Sequence, residues 1–302
     1  MESISIIIPA YNASTTLRKT ILSCLHQTLA PLEIIIINDG SHDETDRVAA
    51  LFHETTRYYY IDNQGVSHAR NYGALQAKGT WFLFLDADDL LLPHALEALL
   101  KTALEEQAAV AYGMVLERQQ HPAQARLNGF DYAAGHPPSG SQQIFWRNAI
   151  ITPGSAIVRA TLHTKTGGFI TGYEPMEDRD YWIKCGLLEP IAFCDTVVLD
   201  KIWQPASHGS QEKKRILCGQ IAQRALKQWA EEREIPTDWM PSDQKIVTSA
   251  INEALWRRHY DLLKPLLAEA RQLGLWHWKA VLVSLIKGGF ESVFVMFLNV
   301  LK

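Results

Sequence analysis

Trp81-Phe82-Leu83-Phe84-Leu85-Asp86-Ala87-Asp88-Asp89 sets five large apolar residues directly against three carboxylates. An apolar run without alternation reads as a strand buried on both faces, the situation of a parallel sheet covered by helices. The carboxylates then fall at the strand's carboxyl end, where open α/β sheets bind their ligands. Asp86 and Asp88 stand two apart, so along an extended segment both side chains point the same way. Two hard oxygen donors side by side call for a divalent cation such as Mg²⁺ or Mn²⁺. The same residues also fit a helix start, with Asp88 or Asp89 capping a helix over residues 90–104 and Pro93 in its first turn.

Toward the amino terminus the same pattern repeats. Ile4 to Ile8 is a β-branched run that ends in Pro9-Ala10-Tyr11-Asn12. Leu17, Ile21, Leu25 and Leu29 then carry helical periodicity over residues 13–28, with Ser14 or Thr15 as the cap. Glu33 to Ile37 is a second strand, closed by Asn38-Asp39-Gly40-Ser41, and Asp43-Glu44-Thr45 opens a second helix. Tyr58 to Ile61 is a third strand that delivers Asp62-Asn63-Gln64-Gly65. Ser67 to Ala77 reads as a helix carrying Arg70 and Asn71, ended by Lys78-Gly79. Strand, loop and helix alternating in this way predict a doubly wound, mostly parallel α/β sheet flanked by helices. No GxGxxG follows the first strand and no GxxxxGK[ST] occurs, which argues against a dinucleotide site and a P-loop.

The composition narrows the function classes. The chain has 302 residues, 47% hydrophobic and 21% charged, enough for one large α/β domain with an appendage. A net charge of −4 gives no electrostatic case for nucleic acid. An anionic ligand must be held by a metal or by a local cluster instead. Cys24, Cys185, Cys194 and Cys218 show neither CxxC nor zinc spacing, so they are expected to be reduced, buried and inert. Met1-Glu2-Ser3 leads into a strand-like run without a basic segment, so no signal peptide is expected and the cytoplasm is the default location.

Four segments occur in order: Ile6-Ile7-Ile8-Pro9-Ala10-Tyr11-Asn12, Glu33 to Ser41, Asn63-Gln64-Gly65-Val66-Ser67-His68-Ala69-Arg70-Asn71-Tyr72-Gly73, and Leu85-Asp86-Ala87-Asp88-Asp89. Together they resemble the nucleotide-sugar-binding half of a family 2 glycosyltransferase with the GT-A fold. The resemblance implies that Pro9, Ala10, Tyr11 and Asn12 lie at the nucleotide, with Tyr11 near the base. It implies that Asp39 contacts a uracil-type ring, that Asn63 lies at the nucleotide-sugar, and that Arg70 helps place nucleotide or phosphate. Asp86, with Ala87 beside it, is then close to ribose and metal, and Asp88 ligates the Mn²⁺ or Mg²⁺ that bridges the diphosphate. A diphosphate leaving group develops charge that such a cation stabilises.

Farther along, Val110 to Glu117 reads as a strand, residues 118–140 as a surface excursion on the acceptor side, and residues 144–159 as a return to ordered structure. Gly167-Gly168-Phe169 and Glu174-Pro175-Met176-Glu177-Asp178-Arg179-Asp180-Tyr181-Trp182 form the second stretch with chemistry. Trp182, Cys185 and Leu188 at helical spacing mark a buried face, which puts Glu177 and Asp178 in the first turn. Carboxylates are favoured there by the helix dipole alone. The segment is similar to the family's Glu-Asp motif, and that likeness implies Asp178 as catalytic base, Glu177 as a neighbour that orients or perturbs it, and Asp180 as a substitute. An acceptor hydroxyl is a poor nucleophile until its proton is removed, and direct attack at the anomeric carbon inverts configuration.

Residues 192–199 read as a late strand, followed by Ile202 to Ser210, which resembles a loop closing over the diphosphate. His208 there is a candidate metal ligand or phosphate donor, or simply solvated. The family pattern has basic and hydroxyl groups where this chain has Gln204 and Pro205. Beyond residue 210 the chain turns helical and amphipathic. Trp276, Trp278, Lys279, Lys287 and Lys302 flank apolar helices that suit either a membrane surface or a protein neighbour.

The expected organisation is a catalytic domain over residues 1–210, with 1–110 binding the donor and 111–210 the acceptor, and a helical extension over 211–302. The expected partners are a nucleotide-sugar donor and a carbohydrate or lipid-linked acceptor in cell-surface polysaccharide or glycolipid assembly, with peripheral membrane contact through 276–302. A sugar-1-phosphate nucleotidyltransferase lacks support, because no Gly-rich signature with following Arg and Lys stands near the first strand. A glycoside hydrolase uses two carboxylates but has no need of nucleotide-binding strand ends. A non-catalytic nucleotide-sugar-binding protein of the same fold is the remaining alternative.

Overall fold

The structure is a computed structural model that describes residues 2–118, 125–128, 150, 152–202 and 208–275, without the side chains of 125–128, 202 and 208–211. The chain divides into two compact units, residues 1–208 and 209–302.

In the first unit, strands β1 (Ile4–Ala10), β2 (Glu33–Asp39), β3 (Arg57–Ile61) and β4 (Trp81–Phe84) alternate with helices α1 (Leu17–Leu25), α2 (Thr45–Ala50) and α3 (Val66–Gln76). β5 (Leu90–Leu91), α4 (Ala95–Glu105), β6 (Val110–Arg118), β7 (Ala125–Asn128), β8 (Ala156–Arg159), α5 (Ala160–Thr166), α6 (Glu177–Leu188) and β9 (Ile191–Ile202) follow. The sheet order is β3-β2-β1-β4-β8-β6-β9-β5, with β7 on β6. β1 pairs in parallel with β2 and β4, β2 with β3, and β6 with β9, while β5, β7 and β8 run antiparallel to their neighbours. The mostly parallel sheet is therefore as expected.

The isoleucine runs explain why β1 and β2 each lie inside the sheet, with a strand on either side. Ile6, Ile8, Ile34 and Ile36 pack into one cluster with Leu17 and Ile21 of α1 and Leu96 and Leu99 of α4. Ile35 and Ile37 face the other way, onto Ala69 of α3. Alternate residues of one strand thus bury on opposite faces, and an apolar side chain at every position satisfies both. β3, at the sheet's edge among the described strands, alternates half-buried and exposed residues.

Four local expectations change. Leu90 and Leu91 pair with Asp200 and Leu199 of β9, so the helix starts only at Ala95, with His94 at its N-cap in place of Asp88 or Asp89. Sheet pairing overrides the helical reading of residues 90–94. The segment after β4 is also not extended, because the Asp89 N–H donates to the Asp86 carbonyl at 3.1 Å and closes a turn. α1 begins at Leu17 with Thr16 at its N-cap and no side-chain cap from Ser14 or Thr15. The stretch read as a surface excursion contains β7, paired with residues 115–118 of β6; its other residues from 119 to 140 lie outside the described ones.

The second unit holds α7 (His208–Glu231) from its second residue on, with α8 (Asp243–Trp256) and α9 (Leu263–Gln272). Val247, Ile251 and Ala254 of α8 pack against Leu263, Leu266 and Leu267 of α9 with Ile216 of α7. Among the described residues no helix is long and apolar enough to cross a membrane. The interfacial segment 276–302 lies outside the described residues. All four cysteines are buried and none is in a disulfide.

Candidate active site

The carboxyl ends of β1, β2 and β4 open onto a cavity of about 570 Å³. Pro9, Ala10, Tyr11 and Asn12 line it from the first loop, Asp39 and Asn63 from the next two, and Asp86, Ala87 and Asp88 from the loop after β4. This is the side of the sheet where strand order reverses about β1, the place where open α/β sheets take ligands. Nine of the ten residues expected at a nucleotide-sugar thus line one cavity, and Arg70 is set apart from the lining.

The first loop is held by the second. Asn12 has φ +49°; its Oδ1 accepts the His42 N–H at 2.9 Å and its own N–H donates to Ser41 Oγ at 2.9 Å. Ala13 N–H donates to Thr45 Oγ1 at 2.8 Å and Ser14 N–H to Asp43 Oδ2 at 3.0 Å. Burial acts upward on Asp43, yet its hydrogen bonds with Thr45 and Ser14 hold the carboxyl down to about 2. Tyr11 is left 50% exposed at the cavity, free to meet a planar ligand. From the sequence Ser41 reads only as the end of the second strand and Asp43 and Thr45 as a helix start, although a cluster of Ser, Asp and Thr after a strand marks side chains that tie loops.

Asp39 is buried, with Oδ1 accepting the Gln64 N–H and Oδ2 the Gly65 N–H, each at 2.9 Å. It positions the loop into α3, and each oxygen keeps a second lone pair for a ligand. Gly40 has φ +71°, and a Cβ there would stand 2.9 Å from the Asn63 backbone nitrogen, so only glycine lets the two loops meet.

The acid loop separates its three carboxylates by environment. Burial pushes Asp86 up, but the Arg70 guanidinium at 2.7 Å and the charge of Lys201 hold it below the ordinary value. Asp88 forms no ion pair with a described residue, and burial followed by the Asp86 charge raises it. Asp89 is fully buried beside Lys201 Nζ at 3.3 Å and Thr152 Oγ1 at 3.4 Å, and burial pushes it up to about 7. Lys201 is raised in turn by Asp89, Asp86 and Asp88, against its own burial. Lys201 and Thr152 arrive from β9 and the turn before β8, a convergence without a local sequence signal.

α6 begins at Glu177 and places Glu177, Asp178 and Asp180 in its first turn, with Trp182 and Cys185 on its buried side. Asp178 Oδ1 accepts the Arg179 N–H at 2.6 Å. Burial and then the Glu177 charge push the Asp178 carboxyl up to about 7, with Arg70 opposing. A carboxyl near neutrality is suited to proton transfer. Glu177 is buried, receives Arg70 Nη1 at 3.1 Å, and is raised chiefly by burial. Asp180 is buried and ion-paired with Lys184 at 2.7 Å within its own helix. Among the described residues no group of three or more His, Cys, Asp or Glu is arranged to hold a metal ion. The His208 side chain lies outside the described residues.

Comparison with known proteins agrees with this architecture. The family model for glycosyl transferase family 2 matches residues 5–167, more than half of the chain. An uncharacterized glycosyltransferase of Rickettsia conorii is 28% identical over 247 residues, covering 79% of this chain and 40% of that protein. The glycosyltransferase GlyA of Streptococcus pneumoniae is 37% identical over 115 residues, 37% of this chain and 16% of that protein. The chain thus spans well under two thirds of these relatives. Among solved structures, S. aureus TarS 1–349 in complex with UDP-GlcNAc superposes with a TM-score of 0.61 at 17% identity, covering 83% of this chain and 72% of that one. The complex of the same protein with UDP gives 0.60 at 16% identity, covering 83% and 71%. The fold is therefore of the GT-A type, and the chain belongs to glycosyl transferase family 2.

Proposed function

We propose that the chain is an inverting glycosyltransferase that moves a sugar from a UDP-sugar to an acceptor hydroxyl. The observation that supports this most is the Asp178 carboxyl, raised to about 7, on a helix whose first residue is joined through Arg70 to the cavity carboxylate Asp86. UDP is favoured by the structural neighbours solved with UDP and with UDP-GlcNAc. Residues 1–110 hold the donor, with the Tyr11 ring and the Asp39 carboxylate on the nucleotide, and residues 111–210 complete the acceptor side. Asp178 takes the proton of the acceptor hydroxyl as its oxygen attacks the anomeric carbon and the nucleoside diphosphate departs. One displacement inverts configuration and requires no nucleophilic carboxylate.

A divalent cation fits the acid loop. Asp88 faces the cavity without an ion pair to a described residue, and its raised carboxyl reflects burial and the Asp86 charge. Mg²⁺ or Mn²⁺ takes hard oxygens, and one or two carboxylates suffice where phosphate oxygens and water complete the shell. When bound, such a cation supplies positive charge to the departing diphosphate. Asp88 and Asp86 would hold it. The acceptor is a carbohydrate or lipid-linked hydroxyl in cell-surface polysaccharide or glycolipid assembly, with the helical extension reaching the inner membrane face through 276–302.

Calorimetric titration of UDP and UDP-sugars, with and without Mn²⁺, tests the reading. Affinity is expected to fall by roughly tenfold or more without metal and in Asp88→Ala. Absence of nucleotide binding under every metal condition overturns it.

A further inference from the structure

Arg70 is 3% exposed, and its guanidinium joins two parts of the site that are distant in the chain. Nη2 donates to Asp86 Oδ1 at 2.7 Å and Nη1 to Glu177 Oε1 at 3.1 Å. The guanidinium carbon stands 5.1 Å from the centre of the Phe169 ring. Asn71, the next residue, clamps the Phe169 backbone from the same turn of α3, with Nδ2 on the carbonyl at 2.8 Å and Oδ1 on the N–H at 2.9 Å. One helix turn therefore grips the loop that supplies Asp86 and the segment that leads into α6.

A nucleotide contact needs donors facing the cavity. Arg70 has both terminal nitrogens committed to carboxylates, its Nε is buried without a hydrogen-bond partner, and it is not among the residues that line the cavity. A planar fork can fix two carboxylates in one relation, which a lysine ammonium cannot reproduce. Glu177 in turn precedes Asp178 at the start of α6, so its anchorage sets the first turn on which Asp178 stands.

We infer that Arg70 is a positioning residue that couples occupancy of the donor cavity, felt at Asp86, to the setting of Asp178 through Glu177. The inference rests on the proposed function in taking the cavity as donor site and Asp178 as base. A ligand that draws on the Asp86 carboxylate alters the charge that Arg70 shares, and the effect appears at Glu177. By linkage, ordering of the base helix favours donor binding in return.

The test uses UDP with Mn²⁺ as probe and hydrogen exchange of peptides from 173–183 as readout, beside donor affinity and turnover. In the parent protein, UDP is expected to slow exchange of that segment by about tenfold. Arg70→Lys keeps a positive charge beside Asp86 and loses the fork. Its UDP affinity is expected to stay within about threefold, while turnover falls by about thirtyfold and the UDP-induced protection disappears. Glu177→Leu cuts the bridge from the other end, leaves the Arg70–Asp86 pair, and is expected to lose the same protection. It carries the test alone if the lysine variant does not fold. UDP-induced protection that survives in either variant overturns the coupling. A roughly thirtyfold loss of UDP affinity in Arg70→Lys also overturns it, because Arg70 is then a nucleotide contact. UDP binding by the parent with no change over 173–183 removes the coupling and leaves the proposed function standing. No UDP binding by the parent removes both.

Discussion

Asn71 and Phe169, 98 residues apart in the chain, are joined by both polar atoms of one amide. Nδ2 donates to the Phe169 carbonyl at 2.8 Å and Oδ1 accepts its N–H at 2.9 Å, so the side chain acts as one more strand of backbone pairing. Gly168 makes the approach possible. It has φ +77°, and a Cβ there would stand 2.5 Å from Asn71 Oδ1.

Asn71→Ala leaves a backbone N–H and a carbonyl without their partner in a part-buried setting. Each costs about 1 kcal/mol or more, so a loss of about 2 kcal/mol in unfolding free energy is expected. Urea denaturation followed by tryptophan fluorescence measures it. A change under about 0.5 kcal/mol would show that water replaces the amide without cost.

Gly73 faces β1 across the α3–sheet contact, where an added Cβ would lie 2.4 Å from Ile7 Cγ2 and 3.2 Å from Ile37 Cγ1. Both isoleucines are fully buried, so neither has room to retreat. Gly73→Ala gains helix propensity of about 1 kcal/mol, but overpacking costs about 1–3 kcal/mol, and a net loss of stability is expected. A higher melting temperature in the variant would mean that α3 lifts from the sheet at little cost.

Asp178 ties the pH dependence of activity to that of stability. Its carboxyl stands at about 7 against an ordinary 3.8, through burial and the Glu177 charge. A base must be deprotonated to act, so with Asp178 in its proposed role kcat is expected to rise with pH on a limb centred near 7. Between 3.8 and about 7 the folded chain holds a proton that the unfolded chain has released. The folded state binds more protons there, so this group's contribution to stability declines as pH rises through that window and is level above it. Asp178→Asn removes the cost: it is expected to melt about 10 °C higher than the parent at pH 8 and equally at pH 3.5. The same variant is expected to lose about 10³-fold in kcat with UDP affinity unchanged. A variant that turns over normally would move the base elsewhere.

Much of the site was legible because its parts are local. Pro9 to Asn12, Asp39, Asn63 and Asp86 to Asp88 each follow an apolar run, and a parallel sheet brings all such carboxyl ends to one edge. The start of α6 at Glu177 was equally readable from the spacing of Trp182 and Cys185. The place of Arg70 behind the cavity was not legible, since the same side chain on α3 could have faced a ligand. Nor was the pairing of Leu90 and Leu91 with β9, which replaced a helical start by a strand 108 residues away from its partner, as the Leu91–Leu199 register shows.

The sequence by itself determined the α/β alternation, the burial of β1, β2 and β4, and the clustering of polar strand-end residues at one sheet edge. Those features depend on periods of two and 3.6 and on composition, which neighbouring residues carry. Only the tertiary structure decided which carboxylates are ion-paired and which have no ion pair with a described residue. Arg70 lies 16 residues from Asp86 and 107 from Glu177, and Lys201 lies 112 from Asp89. The charge state of each acid depends on burial and on these distant partners. Both are set by how the elements pack.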